Sequence, residues 1–228
     1  MPINIIQGDC LGYLKQLESE SINCIVTDPP YGIAFKPNRS RWKEKENEGI
    51  VPNDDKIGKD WVNWFKPIEK ELYRVLKPNS VAWFFSGYNA YWYYDILKED
   101  FEIKADLVWI KNNFGLGYHF RRQYERIICC FKGNPPIPER AISDVVFEDK
   151  VNGSDLLHSS QKPEALIRLL IGQYTKENDF VLDPFMGSGT TAVACRQMNR
   201  NCIGYEINAN YFEIAQKRLK ETLNQNKL

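Results

Sequence analysis

Asp28-Pro29-Pro30-Tyr31 sets an acid, two rigid backbone units and an aromatic ring side by side. A carboxylate can accept hydrogens from an amine, and a phenol ring can stack on a planar base. Proline lacks a backbone donor and fixes φ, so the pair stiffens the turn and holds its carbonyls in place. A second stretch, Asp183-Pro184-Phe185-Met186-Gly187-Ser188-Gly189-Thr190-Thr191, follows an apolar run and opens a helical pattern. Its glycines permit positive φ and let a ligand approach the backbone, and Thr190 is placed to cap the helix. The stretch differs from the GxGxxG dinucleotide fingerprint and lacks the Walker A lysine, which disfavours a nucleotide-binding oxidoreductase. Glu206 stands about 20 residues beyond it, where an acid can hold both ribose hydroxyls in a nucleotide-binding α/β fold.

Such groups need elements to hold them. Residues 22–27 are short and rich in β-branched side chains, as a buried parallel strand should be, and the prolines must end it. A strand at 3–7 and a helix at 10–17 precede it, giving a β-α-β unit. The polar stretch 36–56 is too long for an ordinary connection and reads as a mobile loop. Residues 61–76 have helical spacing, with Pro67 expected to kink or split the helix. Lys77-Pro78-Asn79 should turn the chain into a strand at 80–85, followed by an aromatic-rich helix at 88–97. Strands at 101–110 and 124–131, with no helix between them, predict an antiparallel hairpin. After a proline-rich interruption, a helix at 163–174 has Pro163 in its first turn. Strands at 180–182 and 201–205 then alternate with helices at 190–198 and 211–219. The sum is one α/β domain over 1–228, a doubly wound, mostly parallel seven-stranded sheet with an antiparallel edge hairpin. Ligands in such sheets bind at the carboxyl edge.

Thirty basic and thirty acidic residues cancel, so contact with a polyanion must come from local clusters. Lys36, Arg39 and Arg41, with Lys43 and Lys45, crowd the loop after Tyr31 around Trp42. A second group is Lys111, His119, Arg121, Arg122 and Arg126, interleaved with Tyr118 and Phe120. Such side chains suit phosphate, and arginine can also read guanine. The cysteines, Cys10, Cys24, Cys129, Cys130, Cys195 and Cys202, lack metal-ligand spacing and fall within or beside apolar runs. Buried free thiols in a reducing cytoplasm are expected, with no metal site. No stretch reaches the apolar length of a bilayer span, and the amino terminus has no leader pattern.

Taken together, TDPPYG at 27–32, QKPEALI at 161–167, VLDPFMGSGTT at 181–191, GYEIN at 204–208, GDC at 8–10 and a helix ending EIAQKRL carry a family likeness. The chain resembles the DNA amino-methyltransferases dependent on S-adenosyl-L-methionine, of the kind whose catalytic motif precedes the cofactor motif. The likeness covers nearly the whole chain in order. It implies a Rossmann-like methyltransferase fold with double-stranded DNA as partner. Asp183, Pro184, Phe185, Gly187, Ser188, Gly189 and Thr190 would form the methionine side of the cofactor pocket, and Glu206 would hold the ribose. Asp9, beside Cys10, would meet the adenine amino group, and Lys162 would close over the methionine end. Residues 132–160 would be a short target-recognition insertion, helped by 36–56. Relatives are often dimers, which leaves a homodimer open.

An exocyclic amine is a poor nucleophile because its lone pair is delocalised into the ring. Asp28 and the Pro29 carbonyl would accept the amino hydrogens, Pro30 would keep that carbonyl aimed, and Tyr31 would stack on the base. Transfer is then a direct in-line displacement from the sulfonium, governed by positioning. No cysteine is needed as nucleophile, and the base must leave the duplex. In the family, Asp at the first motif position mostly marks adenine N6 enzymes and Ser marks cytosine N4. Adenine is thus expected, with cytosine N4, or a catalytically silent DNA-binding protein on the same fold, as the alternatives.

Overall fold

A computed structural model describes residues 2–32, 52–87, 91–115, 119–151 and 161–225, with residues 223–225 described by backbone alone. The first β-α-β unit is β1 (Ile3–Gln7), α1 (Cys10–Leu14) and β2 (Ile22–Thr27). Then come α2 (Lys59–Val75), β3 (Leu76–Ser86), α3 (Tyr91–Leu97), β4 (Glu102–Ile110), β5 (Tyr124–Lys132) and β6 (Val145–Phe147). The last part is α4 (Glu164–Tyr174), β7 (Phe180–Asp183), α5 (Thr190–Gln197), β8 (Asn201–Glu206) and α6 (Ala209–Gln225).

The strands form one sheet in the order β1-β8-β7-β2-β3-β5-β4-β6. Neighbours pair in parallel except where β5 meets β3 and β4, so β5 alone runs against the rest. The period of two along each strand divides the core between the two faces. Cys24, Val26, Val81, Trp83, Phe85, Ile127 and Cys129 pack with Leu166, Ile167 and Leu170 of α4 and Ala192 and Ala194 of α5. Their alternates Ile25, Ala82, Phe84, Ile128 and Cys130 pack with Leu14 of α1, Phe65 and Leu72 of α2, and Ile96 of α3. Helices thus cover both faces, as the alternation predicts.

Three details depart from the reading of the sequence. The sheet has eight strands among the described residues, because β6 pairs outside β4 and removes the expected hairpin from the edge. Pro67 neither ends nor divides α2. Trp61 and Phe65 before it, and Ile68, Leu72 and Val75 after it, are all buried in one core, which outweighs a lost helical hydrogen bond. The turn expected at Lys77-Pro78-Asn79 is absorbed as an irregularity of β3: Leu76 pairs with Ile22, the register shifts, and Val81 then pairs with Cys24. Asn79 takes a φ of 57° there.

Two motifs far apart in sequence are brought together by strand order. β2 and β7 pair in parallel, with Cys24 opposite Val181 and Ile25 opposite Leu182. The turns after both strands open at the same carboxyl edge, as expected.

Candidate active site

Strand parity places the first set of polar groups. Asp28 continues the α4-facing series Cys24 and Val26 beyond the end of β2. Glu125 precedes Ile127 and Cys129 in the same series on β5, and Lys111 follows Leu107 and Trp109 beyond β4. Phe85 of β3 lies between them in the sheet, so acid, ring, acid and base form one row along the edge. The loop entering α4 adds Lys162 above that row.

These groups bind one another. Lys162 Nζ pairs with Asp28 Oδ2 and lies 3.3 Å from Glu125 Oε2. Lys111 Nζ pairs with Glu125 Oε1 at 2.7 Å. The Tyr31 hydroxyl donates to Asp28 Oδ1 at 2.6 Å and reaches Glu125 Oε2 at 3.4 Å. The Lys162 ammonium also sits over the rings of Phe85 and Tyr31, at 5.1 and 5.9 Å from their centroids. Burial pushes Asp28 above the usual carboxylate range and Glu125 adds to this, outweighing the Lys162 ammonium. Burial acts upward on Glu125 too, but Lys162 and Lys111 together bring it down to about 2. Two ammoniums and two carboxylates leave the cluster neutral, the condition under which charges can be buried.

The Asp28–Tyr31 turn is braced from beneath. The Trp61 indole N–H donates to the Pro30 carbonyl at 2.7 Å, and the Tyr93 hydroxyl lies 3.2 Å from both the Pro29 and Pro30 carbonyls. Gly32 N–H donates to Asp54 Oδ1 at 3.1 Å. With φ at +63°, a Cβ on Gly32 would lie 2.7 Å from both the Lys56 carbonyl oxygen and the Trp61 ring. Only glycine fits there.

The second turn is built around Glu206. Its carboxylate accepts from Gly187 N–H at 2.7 Å and from Asn208 N–H at 2.8 Å, one to each oxygen, and the Ile207 N–H also acts on it. Gly187 and Gly189 have φ of 53° and 85°. Gly189 itself is the N-cap of α5 and no side chain caps the helix, so Thr190 is its first residue and not its cap. The Thr190 hydroxyl instead accepts from Arg218 of α6 at 3.2 Å, and the same guanidinium takes the Ser188 carbonyl at 2.8 Å. Asp183 accepts from Phe185 N–H at 3.1 Å and from the Thr191 hydroxyl at 2.6 Å. Burial raises it to about 7, with the Asp28 charge acting in the same direction. At the third edge Asp9 caps α1 by accepting from Leu11 N–H at 2.9 Å, and burial pushes the Cys10 thiol up to about 12.

A cleft of about 270 Å³ joins the three turns. Its walls carry Asp9, Cys10, Asp28, Pro29, Pro30, Tyr31, Lys162, Asp183, Pro184, Phe185, Gly187, Ser188, Thr190 and Glu206. Of the residues expected at a catalytic or cofactor site, Gly189 alone is not on the wall: it packs outward against Ala215. Lys162 lines this cleft and is held there by two carboxylates, Asp28 and Glu125. Glu125, Lys111, Trp61 and Tyr93 were not expected at the site. Glu125 could have been found from its parity, since an acid on the alternation of Ile127 and Cys129 points toward a buried face.

The basic clusters fare differently. Lys36, Arg39 and Arg41 lie outside the described residues. Arg121 and Arg122 are exposed between β4 and β5 and do not line the cleft. Arg121 stacks on the Phe114 ring, 5.6 Å from its centroid, and donates to the Gly115 carbonyl at 3.2 Å. Lys111 and Arg126 are tied internally, to Glu125 and Asp106, so they are not the loop cations the sequence suggested. All six cysteines are buried and free. No described helix is long and apolar enough to cross a membrane.

A doubly wound sheet whose edge joins an acid-proline turn to a glycine turn with a ribose-type acid defines a nucleotide-dependent transferase class. Residues 22–217 match the DNA methylase family, and the chain belongs to it. Type II methyltransferase M.HinfI of Haemophilus influenzae is 32% identical over 246 residues, spanning 95% of this chain and 68% of that protein. Type II methyltransferase M2.MboI of Moraxella bovis is 30% identical over 254 residues, spanning 96% and 88%. Among solved structures, the M1.HpyAVI–SAM complex aligns with a TM-score of 0.69 at 27% identity, covering 95% of this chain and 98% of that one. The cytosine-N4-specific PvuII DNA methyltransferase aligns at 0.74 with 18% identity, covering 99% and 92%, a likeness of fold. The expectation of an S-adenosylmethionine-dependent DNA methyltransferase stands.

Proposed function

We propose that the protein transfers a methyl group to the exocyclic amine of a base flipped out of duplex DNA, with adenine N6 as the acceptor. The observation that carries this is the shared cleft: Asp28, at the end of β2, opens onto the same space as Gly187 and Glu206. Glu206 lines this cleft as the acid for the two ribose hydroxyls. The glycine turn offers open backbone, and Phe185, Ile207 and Tyr211 give the wall apolar surface for a purine. These groups fit S-adenosylmethionine, which supplies a methyl group on a sulfonium. Asp28 and the Pro29 carbonyl accept the hydrogens of the amine and turn its lone pair toward the donor. Trp61 and Tyr93 keep the carbonyls from drifting, so the geometry is fixed before the base arrives. Asp at the first position of the motif supports the adenine reading.

Arg121, Arg122 and the basic residues at 36–41 are the phosphate contacts of this reading, and residues 132–160 its recognition segment. The enzyme works in the cytoplasm without a metal. Sedimentation of the protein alone tests the homodimer. The decisive experiment incubates tritiated S-adenosylmethionine with duplex DNA, digests the product and separates the nucleosides. Label in N6-methyladenine is expected. Label in N4-methylcytosine would overturn the base assignment, and absence of label the activity. Asp28→Ala should lower incorporation by about 100-fold.

A further inference from the structure

Asp28 carries two hydrogen-bond donors in the free protein, and both must give way if its oxygens are to take the hydrogens of an amine. Lys162 occupies Oδ2 and Tyr31 occupies Oδ1. Each of the two has a second acceptor within reach, and it is the same atom. Glu125 Oε2 lies 3.3 Å from Lys162 Nζ and 3.4 Å from the Tyr31 hydroxyl. The other oxygen of Glu125 is already held by Lys111, at 2.7 Å, which fixes the carboxylate in place.

From this we infer that Glu125 is a positioning residue for methyl transfer: its Oε2 receives the donors that leave Asp28 when the target amine enters. The inference rests on the reading of Asp28 as the acceptor of amino hydrogens. A buried ammonium cannot leave one carboxylate for nothing, because the lost interaction has no water to replace it. The side chain of Lys162 is only 8% exposed, and Glu125, a second carboxylate in the same row as Asp28, gives it an exit. The movement required is small, since Lys162 already bridges both acids. Without the charge of Glu125, Lys162 loses the second carboxylate that it bridges, and its hold on Asp28 competes with the amine.

The same arrangement sets the charge balance around Asp28. Lys162 faces it from the α4 loop, Glu125 from β5, Tyr31 from its own turn, Tyr93 from α3 and Asp183 from β7. Lys111 stands behind Glu125, and Lys150 adds a further cation that interacts with Lys111, Glu125 and Lys162. Glu125 is thus a negative charge close to Asp28, and its loss makes Asp28 easier to ionise. Loss of Lys111 does the reverse.

The test uses the full-length protein with S-adenosylmethionine and duplex DNA. Glu125→Gln should lower kcat by at least about 10-fold at pH 8, leave cofactor affinity within about twofold, and move the acid limb of the kcat profile down by about one pH unit. Glu125→Asp should restore part of the rate and return the limb toward its original position. Lys111→Gln should move the limb the other way, upward. Opposite shifts from two neighbours are not expected of a structural role, so a rate loss with a stationary limb in both variants would overturn the inference. So would a Glu125→Gln protein with wild-type kcat. Asp28→Asn separates the two levels: if it keeps near wild-type activity, the acceptor reading fails. If it is inactive while Glu125→Gln is fully active, only the role of Glu125 fails.

Discussion

Arg218 of α6 pairs with Glu164 of α4 at 2.7 Å while its other arm holds the Ser188 carbonyl at 2.8 Å. One guanidinium therefore ties the glycine turn to the helix that begins two residues after Lys162. The Arg218 side chain is 10% exposed, so these bonds are made largely out of water. Arg218→Gln should cost about 2 kcal/mol in stability and weaken cofactor binding about 10-fold, read by thermal unfolding and calorimetric titration. Arg218→Lys should not rescue binding, because a single ammonium cannot fork between turn and helix.

Gly189 offers a cleaner probe of the same turn. A Cβ there would lie 2.8 Å from the Cβ of Ala215, at a φ of +85°. Gly189→Ala should destabilise the protein by about 2–4 kcal/mol in urea, from left-handed strain plus overpacking. Gly12 in α1 has nothing within 4 Å of its missing Cβ. Gly12→Ala should be neutral or stabilising by about 0.5–1 kcal/mol, which makes it the control.

Tyr93→Phe removes the hydroxyl that braces the Pro29 and Pro30 carbonyls and keeps the ring against Trp61, 4.6 Å away between centroids. Stability should fall by about 1 kcal/mol. The larger effect should be on kcat, about 10-fold in single-turnover assays, with cofactor affinity unchanged.

Glu69, buried on α2, should make stability depend on pH. Burial and the neighbouring Asp100 carboxylate raise it from 4.5 to about 8. The folded state therefore holds this proton where the unfolded chain has released it, and stability falls as pH rises from 4.5 towards 8. Glu69→Gln should raise the melting temperature at pH 8.5 and leave it nearly unchanged at pH 5. An equal shift at both values would show that the charge is not the cause.

The surface arginines are tested by salt. Arg121→Ala with Arg122→Ala should lower the slope of log affinity against log salt by about 0.9 for each phosphate that is no longer neutralised. A slope identical to wild type would remove this loop from the DNA interface.

Much of this architecture was readable because the physics that makes it is local. A short apolar run rich in β-branched residues marks a buried strand such as Ile22–Thr27, and a proline pair or a glycine turn marks where a strand must stop. What was missed depends on partners distant in sequence. Val145–Phe147 is a strand only because β4 pairs with it, and α2 survives Pro67 because its buried residues hold it on both sides. Tyr93 looked like one ring in an aromatic helix, and its hydroxyl acquires meaning only beneath Pro29. Glu125 was one charge at the start of a predicted strand, and only the folded chain sets it beside Lys162.

The place of β7 beside β2 has a consequence for synthesis. The Phe180 N–H donates to the Asn23 side chain, a bond between residues 157 positions apart. β1 touches β8 alone, and β2 has β7 on one side. A chain still emerging from the ribosome therefore carries β1 without a neighbour and β2 with one bare edge until its last two strands appear. Such edges invite pairing with other chains, and long-range strand pairing is slow. Asp28 is made early, but the cleft it shares with Glu206 is complete only once β8 is in place.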